Sequence, residues 1–451
     1  MQRIERSHGT RAARLGLAML AAQAGLITGC TGLKYATKER PLFSDYAVEW
    51  TSAPEWEARE AKRELEAVVT PTPNNSILGL RPTVALHNMI KEPRKPKGLG
   101  HLLKHKIGSA PVYLDTVPLD DINTALINRM NNRGYFAATS SYQVTVHGKK
   151  AGVVFTVAPG RPHLVRTISV GDSTRSGADS ALATVSRGTQ VVSGEPYQLA
   201  NLVEDRLHAA DRMRDRGWYR LRAEDLEWAT DTTVGDHQVD LHLRVKARTS
   251  EAKSIPYRIG SVMVHGDKDE LLPPSDTVVV EGIHYVNYLG MYRPPTILRG
   301  VFIRPGDHYS LRRDDATQRY LNSYGVFSNV LIAYSDDSIR PGVLNTSITL
   351  IPQKRFSLFS ELNAKSKSNN FAGPGLKFGF RDRDLFRGAE QFTVDLNGSF
   401  EVQIGATEPG TYAYEVGAKA GLKVPRMLLF PIKRLARSSV PNTNFDLGIG
   451  V

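Results

Sequence analysis

The sequence has a single cysteine, Cys30, among its 451 residues, so it cannot form an internal disulfide. It also lacks the glycine-rich loop that cradles phosphates and the nucleophile elbow found in many hydrolases. Its formal net charge is +12, but the basic residues are scattered and no nucleic-acid-binding motif accompanies them. These absences argue against a disulfide scaffold, a nucleotide-binding enzyme and a nucleic-acid-binding protein. A chain of this length is expected to fold as several domains.

The first thirty residues have the pattern of an export signal. Four arginines precede an apolar run from Leu15 to Ile27, which is too short to cross a bilayer as a folded helix. The run ends Leu26-Ile27-Thr28-Gly29-Cys30, which resembles the bacterial lipoprotein box, where the cysteine is lipidated and becomes the new N-terminus. We predict a signal peptide over residues 1–29, lipidation of Cys30 and a tether over 30–42. The alternatives are a signal anchor and a cysteine present by chance.

Cleavage before Cys30 would remove four arginines and Glu5, which lowers the net charge from +12 to +9. The mature chain therefore stays basic. A basic protein is well suited to a position beside an anionic membrane surface.

A short unit recurs three times: a helix ends on glycine and runs directly into a strand. The copies end Arg133-Gly134-Tyr135-Phe136, Arg216-Gly217-Trp218-Tyr219 and Tyr324-Gly325-Val326-Phe327. Glycine suits the end of a helix because it adopts the left-handed conformation without a steric penalty. We interpret the aromatic residues as core residues that seal each helix onto the following strand, rather than as ligand contacts.

The first copy lies in a larger unit with clear periodicity. Leu119, Ile122, Leu126 and Met130 recur at three- and four-residue steps, which predicts an amphipathic helix. Alternating segments separated by a turn follow it and predict two strands.

The same order of strand, helix, helix, strand, strand is predicted three times, and the third copy carries a long insertion at about 267–292. Units of this length are domain repeats rather than solenoid repeats. The predicted domains cover residues 43–160, with a basic loop at 92–108, then 161–250 and 251–353.

The pattern changes after Gln353. From Phe392 to Ile404 every even position is apolar or glycine, while the odd positions between them are polar or charged, and a similar alternation returns at 412–424. A strand of about 9–11 residues crosses a bilayer if a closed barrel pairs all its backbone groups. We therefore predict the N-terminal part of an antiparallel transmembrane β-barrel over residues 354–451.

A soluble antiparallel sandwich is the alternative, because its strands alternate too. Strand length, repeated hairpins and glycine content favour the membrane interpretation. About five strands are recognisable, whereas single-chain barrels have at least roughly eight. The segment is therefore interpreted as the front portion of a larger barrel protein, or as a truncated copy of one.

Catalytic and metal-binding chemistry finds little support. His101 and His105 have the spacing of two ligands on one helix face, but no third ligand is in view, which favours a surface pair. The acidic pairs Asp120-Asp121 and Asp314-Asp315 lie near helix starts, where carboxylates favour the helix dipole, and Asp336-Asp337 precedes a turn. We expect no enzyme activity, catalytic residues, metal or cofactor.

The chain resembles the BamA/TamA family of outer-membrane assembly proteins. The resemblance covers most of residues 43–451 and rests on the three glycine-aromatic units, on Tyr257-Arg258-Ile259-Gly260-Ser261-Val262 and on Asp384-Leu385-Phe386-Arg387-Gly388-Ala389-Glu390. The repeated units are similar to POTRA (polypeptide-transport-associated) domains, and the 384–390 segment is similar to the first barrel hairpin. The lipoprotein box, with Pro73-Asn74 followed by Leu78-Gly79, is similar to the lipoprotein TamL-like branch.

The resemblance implies an α+β fold of tandem POTRA-like (β-α-α-β-β) domains followed by the start of an outer-membrane β-barrel. It implies a lipid-anchored outer-membrane protein with periplasmic POTRA domains that assembles or inserts unfolded outer-membrane proteins, with a TamB-like periplasmic partner. We expect clients to add as strands to POTRA sheet edges.

The family's Arg-Gly-Phe lid motif lies late in the barrel. Leu298-Arg299-Gly300-Val301-Phe302 is only superficially similar to it, because it falls within the third soluble unit, so no lid role is assigned to it. The alternatives are a surface or structural lipoprotein with an incomplete barrel and a POTRA-bearing secretion pore.

Overall fold

The computed structural model describes residues 32–52, 58–77, 79–93, 97–174, 177–185, 189–268, 271–368, 371–403, 412–428 and 442–451. The predicted signal peptide and Cys30 lie outside these residues. Within them, no helix combines the length and the apolar character needed to span a bilayer.

Sixteen strands and seven α-helices of five or more residues organise the described parts of the chain. The helices are α1 (Ala58–Glu66), α2 (Pro82–Met89), α3 (Leu119–Asn131), α4 (Ala178–Val185), α5 (Leu199–Arg214), α6 (Pro294–Leu298) and α7 (Leu311–Ser323). The first nine strands are β1 (Leu42–Trp50), β2 (Thr139–His147), β3 (Lys150–Ala158), β4 (Leu164–Val170), β5 (Leu226–Asp231), β6 (Gln238–Val245), β7 (Arg258–His265), β8 (Asp276–Val280) and β9 (Ile283–Asn287). The others are β10 (Phe327–Asp336), β11 (Val343–Pro352), β12 (Phe356–Ser366), β13 (Phe371–Asp382), β14 (Gln391–Gln403), β15 (Tyr412–Val424) and β16 (Thr443–Gly450).

The order strand, helix, helix, strand, strand occurs three times, and we call these units modules 1 to 3. Module 1 is built on β1, α1, α3, β2 and β3, module 2 on β4, α4, α5, β5 and β6, and module 3 on β7, α6, α7, β10 and β11. The mixed α+β fold class is as expected from the sequence.

The structure divides into two compact units, and the boundary between them passes through module 2. One comprises Met1–Ile168, Gln190–Val203 and Thr230–Leu241, and the other comprises Ser169–Thr189, Glu204–Ala229 and His242–Val451. Module 1 lies in the first unit, and module 3 and the sheet that follows it lie in the second.

Module 1 folds as its periodicity predicts. Ile122, Leu126 and Met130 of α3 are buried against the inner face of β3, where alternate residues such as Phe155 are buried as well. β3 lies centrally, parallel to β1 and antiparallel to β2. The apolar spacing of the helix and the alternation of the strand thus meet in one core.

The basic loop predicted at 92–108 is partly helical. A helical turn at Leu99–His101 continues into a π-helical segment at Leu102–Ile107, and we call the two together the 99–107 helix. It packs against α2, where buried Lys104 donates through Nζ to the Ile90 carbonyl at 3.0 Å. The Lys, Pro and Gly content of this stretch gives no sign of the helix, which is held by a buried lysine and not by an apolar face.

The insertion in module 3 extends its sheet. β8 and β9 form a hairpin, and β9 pairs in parallel with β7, which gives the order β10-β11-β7-β9-β8. Fully buried Asp267 holds the returning chain, because its carboxylate accepts the backbone N–H groups of Tyr288, Leu289 and Met291 at 2.9, 3.1 and 2.8 Å.

The segment predicted as the start of a barrel is a five-stranded antiparallel sheet in the order β12-β13-β14-β15-β16. Four of the strands have 11 to 13 residues, long enough to cross a bilayer. Within the described residues β12 and β16 are edge strands, so the predicted partial barrel is seen here as an open five-stranded antiparallel sheet.

Candidate functional site

In the three modules, two long edge strands have a free outer edge within the described part of the chain. β2 ends the order β1-β3-β2, and β10 begins the five-stranded sheet of module 3. Neither strand contains Lys, Arg or Pro, the residues that commonly protect an edge from pairing. Their outer backbone groups can therefore pair with an extended chain.

The other module edges are covered, charged or short. At the start of β1, the Phe43 N–H donates to the Val112 carbonyl at 2.9 Å, so a loop occupies that edge. On β5, Glu227 accepts from Arg244 at 2.8 Å, and on β4, Arg166 pairs with an aspartate. β8 has only five residues. The geometry therefore singles out β2 and β10.

Apolar side chains remain exposed on both free edges. Val144 and Val146 of β2 are 40% and 48% exposed, and Leu331 of β10 is 48% exposed. An added strand would thus find both unpaired backbone and apolar contact surface.

The recurring glycine marks a joint between successive modules. At the first joint, the His163 N–H at the entry to module 2 donates to the Gly134 carbonyl at 2.9 Å. At the second, the Tyr257 N–H at the entry to module 3 donates to the Gly217 carbonyl at 2.7 Å. At the third, the Gln391 side chain of β14 donates to the Tyr324 carbonyl, directly before Gly325.

These contacts leave no room for side chains at the first two glycines. A Cβ on Gly134 would meet the Tyr197 carbonyl oxygen at 2.9 Å, and one on Gly217 would meet Pro256 at 3.1 Å. Both glycines have positive φ, as expected for residues that end helices.

The two aromatic residues after each of the first two glycines have different roles. Tyr135 is buried in the core of module 1 as expected. Phe136, by contrast, packs on the rings of His163 and Tyr197 in module 2, at centroid distances of 4.8 and 5.1 Å. The interpretation that all these aromatics seal their own helix is wrong for the second residue of each pair.

Tyr219 repeats this arrangement at the second joint. Its ring lies 4.9 Å from Tyr309 and 5.3 Å from Tyr334, both in module 3. One partner at each joint has a sequence signal, because His163 and Tyr257, whose ring lies 6.0 Å from that of Tyr219, each stand just before the first strand of the following module.

Asp215, also within the recurring unit, joins two helices. It follows α5, and its Oδ1 accepts the Arg312 N–H at the start of α7 at 2.7 Å. Ser310, the N-cap of α7, donates to the same oxygen at 3.3 Å. The carboxylate at the positive end of α7 fixes module 3 to the end of the preceding helix.

A partly buried carboxyl lies beside this joint. Asp314 of α7 accepts a hydrogen bond from the Tyr334 hydroxyl of β10 at 3.2 Å. Burial is the main cause that raises the pKa of Asp314 from 3.8 to about 6, and the charge of Asp315 raises it further. The hydrogen bond from Tyr334 and the neighbouring Arg214 lower the pKa, but less than burial raises it.

One face of the five-stranded sheet is apolar across all its strands. Register pairs place Leu358 beside Phe380, Phe378 beside Leu396, and Ala420 beside Leu447. Leu358, Val416 and Leu447 are 82%, 60% and 78% exposed. This face has the composition expected of a lipid-facing surface.

The opposite face carries paired charges. Lys365 pairs with Glu415 at 3.2 Å and Lys377 with Asp395 at 3.4 Å. Lys367 also pairs with Glu401, at 2.7 Å. Charged groups on one face and apolar groups on the other are the pattern of strands between lipid and a polar interior.

The turn between β13 and β14 anchors this sheet to module 3. Asp384 and Glu390, both buried, accept N–H groups within the turn, from Ala389 at 3.0 Å and from Gly388 at 2.9 Å. Ala389 itself belongs to the core of module 3. The segment that resembles the family's first barrel hairpin is therefore a rigid connection between two parts of the structure.

The histidine pair has more neighbours than its sequence indicates. The rings of His101 and His105 lie 4.8 Å apart, and the ring of His87 on α2 lies 6.1 Å from that of His105. His105 Nε2 also lies 3.0 Å from Glu92. No group of three or more His, Cys, Asp or Glu residues is placed to hold a metal ion in the described ranges.

The other candidates from the sequence have structural contacts. Asp120 accepts from the Tyr142 hydroxyl at 2.8 Å, and Asp337 accepts from Arg340 at 2.8 Å. Gly300 of the lid-like segment lies against Tyr320, where a Cβ would come within 2.6 Å of the ring. Cys30 lies outside the described residues, and its lipidation stays a prediction.

Comparison with solved structures finds POTRA-bearing proteins. POTRA domains 3–5 of BamA from Haemophilus influenzae share 10% identity, over 69% of this chain and 96% of that one, with a TM-score of 0.33. BamA from Haemophilus ducreyi lacking POTRA domains 1–3 shares 9%, over 64% and 51%, also at 0.33. CdiB from Acinetobacter baumannii shares 11%, over 59% and 50%, at 0.25.

No protein-family profile and no curated protein sequence matches the chain. With structural scores this low, function has to be argued from the residues described above.

Proposed function

We propose that this protein assembles outer-membrane proteins by binding unfolded clients along β2 and β10 and delivering them to the membrane at its antiparallel sheet. The observation that carries the proposal is the occurrence, in one chain, of two long edges without Lys, Arg or Pro and a sheet with one apolar face. The edges offer backbone pairing to an extended client. The sheet offers a place where client strands enter the bilayer.

In this proposal strands β12 to β16 form part of an outer-membrane β-barrel, and the modules are periplasmic POTRA domains. Lipidation at Cys30 provides a second attachment to the membrane. A TamB-like periplasmic partner belongs to the same proposal. The mechanism is strand addition, with no enzymatic step and no cofactor.

The test is the folding of a denatured eight-stranded client in vesicles that contain the full chain, followed by the change in gel migration of a closed barrel. The wild-type chain is expected to accelerate folding. Val144→Lys combined with Leu331→Lys places a charge on each free edge. The double variant should slow folding about fivefold for each edge, which corresponds to about 1 kcal/mol for a lost apolar cross-strand contact.

Ile339→Lys is the matched control, because Ile339 is 85% exposed and lies in a turn rather than on an edge. Equal folding rates with the double variant and with the wild type contradict client binding at the edges. No acceleration by the wild-type chain favours a structural lipoprotein instead.

A further inference from the structure

An exposed apolar and basic patch lies on the insertion between α1 and α3 of module 1, which contains α2 and the 99–107 helix. Its apolar members Met89, Leu99, Leu102 and Ile107 are 73%, 78%, 48% and 50% exposed. The same segment carries exposed lysines at positions 91, 97 and 106. We call these seven residues the insertion patch.

Contacts with α2 hold the 99–107 helix, and with it the patch, in place. The 99–107 helix packs on α2, and buried Lys104 pairs with Glu92 at 2.9 Å as well as donating to Ile90. The Ser109 N–H, just after the helix, donates to the Thr83 carbonyl of α2 at 3.1 Å. One side of the 99–107 helix, which carries buried Lys104, is therefore fixed against α2. The apolar side chains of the patch remain exposed to solvent.

The N-terminal chain lies against the same insertion. Gly32 is buried on α2, with so little space that a Cβ would meet Val84 at 3.1 Å and Arg81 at 3.2 Å. The Asn88 side chain of α2 donates to the Gly32 carbonyl at 3.4 Å. Cys30 precedes Gly32 by two residues in the sequence, and two residues reach at most about 7 Å.

We propose that the insertion patch rests on an anionic lipid bilayer surface beside the acyl chains of Cys30. The inference rests on the lipidation of Cys30 in the proposed function and adds a second membrane contact to it. A lipidated residue this close to a packed glycine brings α2 to the height of the headgroups. Exposed leucine, isoleucine and methionine then enter the interface, and lysines contact anionic headgroups.

Charge favours lipid over a protein as the occupant. Within the described parts of the chain, none of Lys91, Lys97 and Lys106 forms an ion pair with an acidic side chain. An anionic bilayer provides partners for all three at once. A single acyl chain holds a protein only marginally, so a basic apolar surface beside it strengthens the attachment.

The experiment uses the lipidated full chain with Leu102→Cys, labelled with an environment-sensitive fluorophore. The lipid blocks the thiol of Cys30, so the new cysteine is the single free thiol. Reconstituted vesicles contain phosphatidylcholine, with or without phosphatidylglycerol, and a nitroxide-labelled lipid as quencher. Ile339→Cys, equally labelled, is the control at an exposed apolar position of module 3.

Quenching at position 102 is expected to exceed that at position 339 several-fold and to require phosphatidylglycerol. Lys91→Gln, Lys97→Gln and Lys106→Gln should each weaken the contact about fivefold. Equal quenching at the two positions, or equal quenching with and without the anionic lipid, overturns the proposal. Crosslinking of position 102 to a protein without lipid quenching also overturns it.

This proposal and the proposed function fail separately. Mass spectrometry of the mature chain reports the lipid on Cys30 independently of both assays. The charged-edge double variant should lose client folding and keep the quenching at position 102. The three lysine variants should keep client folding in vesicles where the sheet itself is inserted.

Discussion

Replacing Asp314 by asparagine should stabilise module 3 at neutral pH. The carboxyl of Asp314 lies partly buried between α7 and β10 and accepts a hydrogen bond from Tyr334. Burial raises its pKa to about 6 from 3.8. The folded state therefore holds the proton more tightly than the unfolded state does between these two values.

The sign and size of the effect follow from this difference. The stability that protonation contributes is fully present below pH 3.8 and is lost as the pH rises through 6. A shift of about two pKa units corresponds to about 3 kcal/mol. Asparagine cannot ionise, and its amide oxygen can still accept from Tyr334, so Asp314→Asn should keep up to that amount at pH 7.

Hydrogen exchange of the β10 amides in the full chain measures the opening free energy of module 3. At pH 7 Asp314→Asn should exchange more slowly than the wild type after correction for intrinsic rates, and near pH 4 the two should converge. Asp315→Asn is the control, because it makes the same change of charge at an exposed neighbouring position. A constant difference across this pH range, or equal effects of the two variants, would contradict a raised pKa of Asp314 in the folded state.

Three further changes test the joints and the sheet. Asp215→Ala removes the carboxylate, just after α5, that caps the start of α7. The opening free energy measured by hydrogen exchange in the first turn of α7 should fall by about 1–2 kcal/mol. Gly373→Ala should prevent normal pairing of β13 with β14, because a Cβ there would overlap the backbone carbonyl of Phe400. Gly398→Ala should be tolerated, since the nearest atom to its Cβ is 3.9 Å away. Val416→Lys on the apolar face should lower membrane-inserted yield, since a lysine facing lipid costs about 2–4 kcal/mol at mid-bilayer.

Controls for the first and last of these changes are available nearby. Asp211→Ala alters a carboxylate on α5 that lies 60% exposed and does not cap α7, so exchange at α7 should stay unchanged. Asn397→Lys places the same charge on the polar face of the sheet. Equal losses for Asn397→Lys and Val416→Lys would contradict the assignment of the lipid-facing side.

The sequence predicts those parts of the fold that depend on local periodicity. The spacing of Ile122, Leu126 and Met130 indicates α3, and all three are buried. The alternation over Phe392 to Gln403 indicates β14. Both signals arise because one face of an element must be apolar, and this is visible in a short window of residues.

Features that depend on distant residues were missed. β9 pairs with β7 across the insertion, and neither strand alone indicates this pairing. His87 approaches His105 only because α2 packs on the 99–107 helix. The glycine-aromatic unit itself indicated the end of a helix, but its contact with the following module is a tertiary interaction.

Photocrosslinking along β10 tests client binding at the free edges most directly. A photoreactive residue is placed at Asn329, Leu331, Ala333 or, as the control, Ile339 of the full chain while a client folds into vesicles. If clients bind along β10, crosslinks to the client are expected at the three exposed β10 positions and none at Ile339. Equal crosslinking at Ile339, or no crosslinks along β10 while folding is still accelerated, would contradict it.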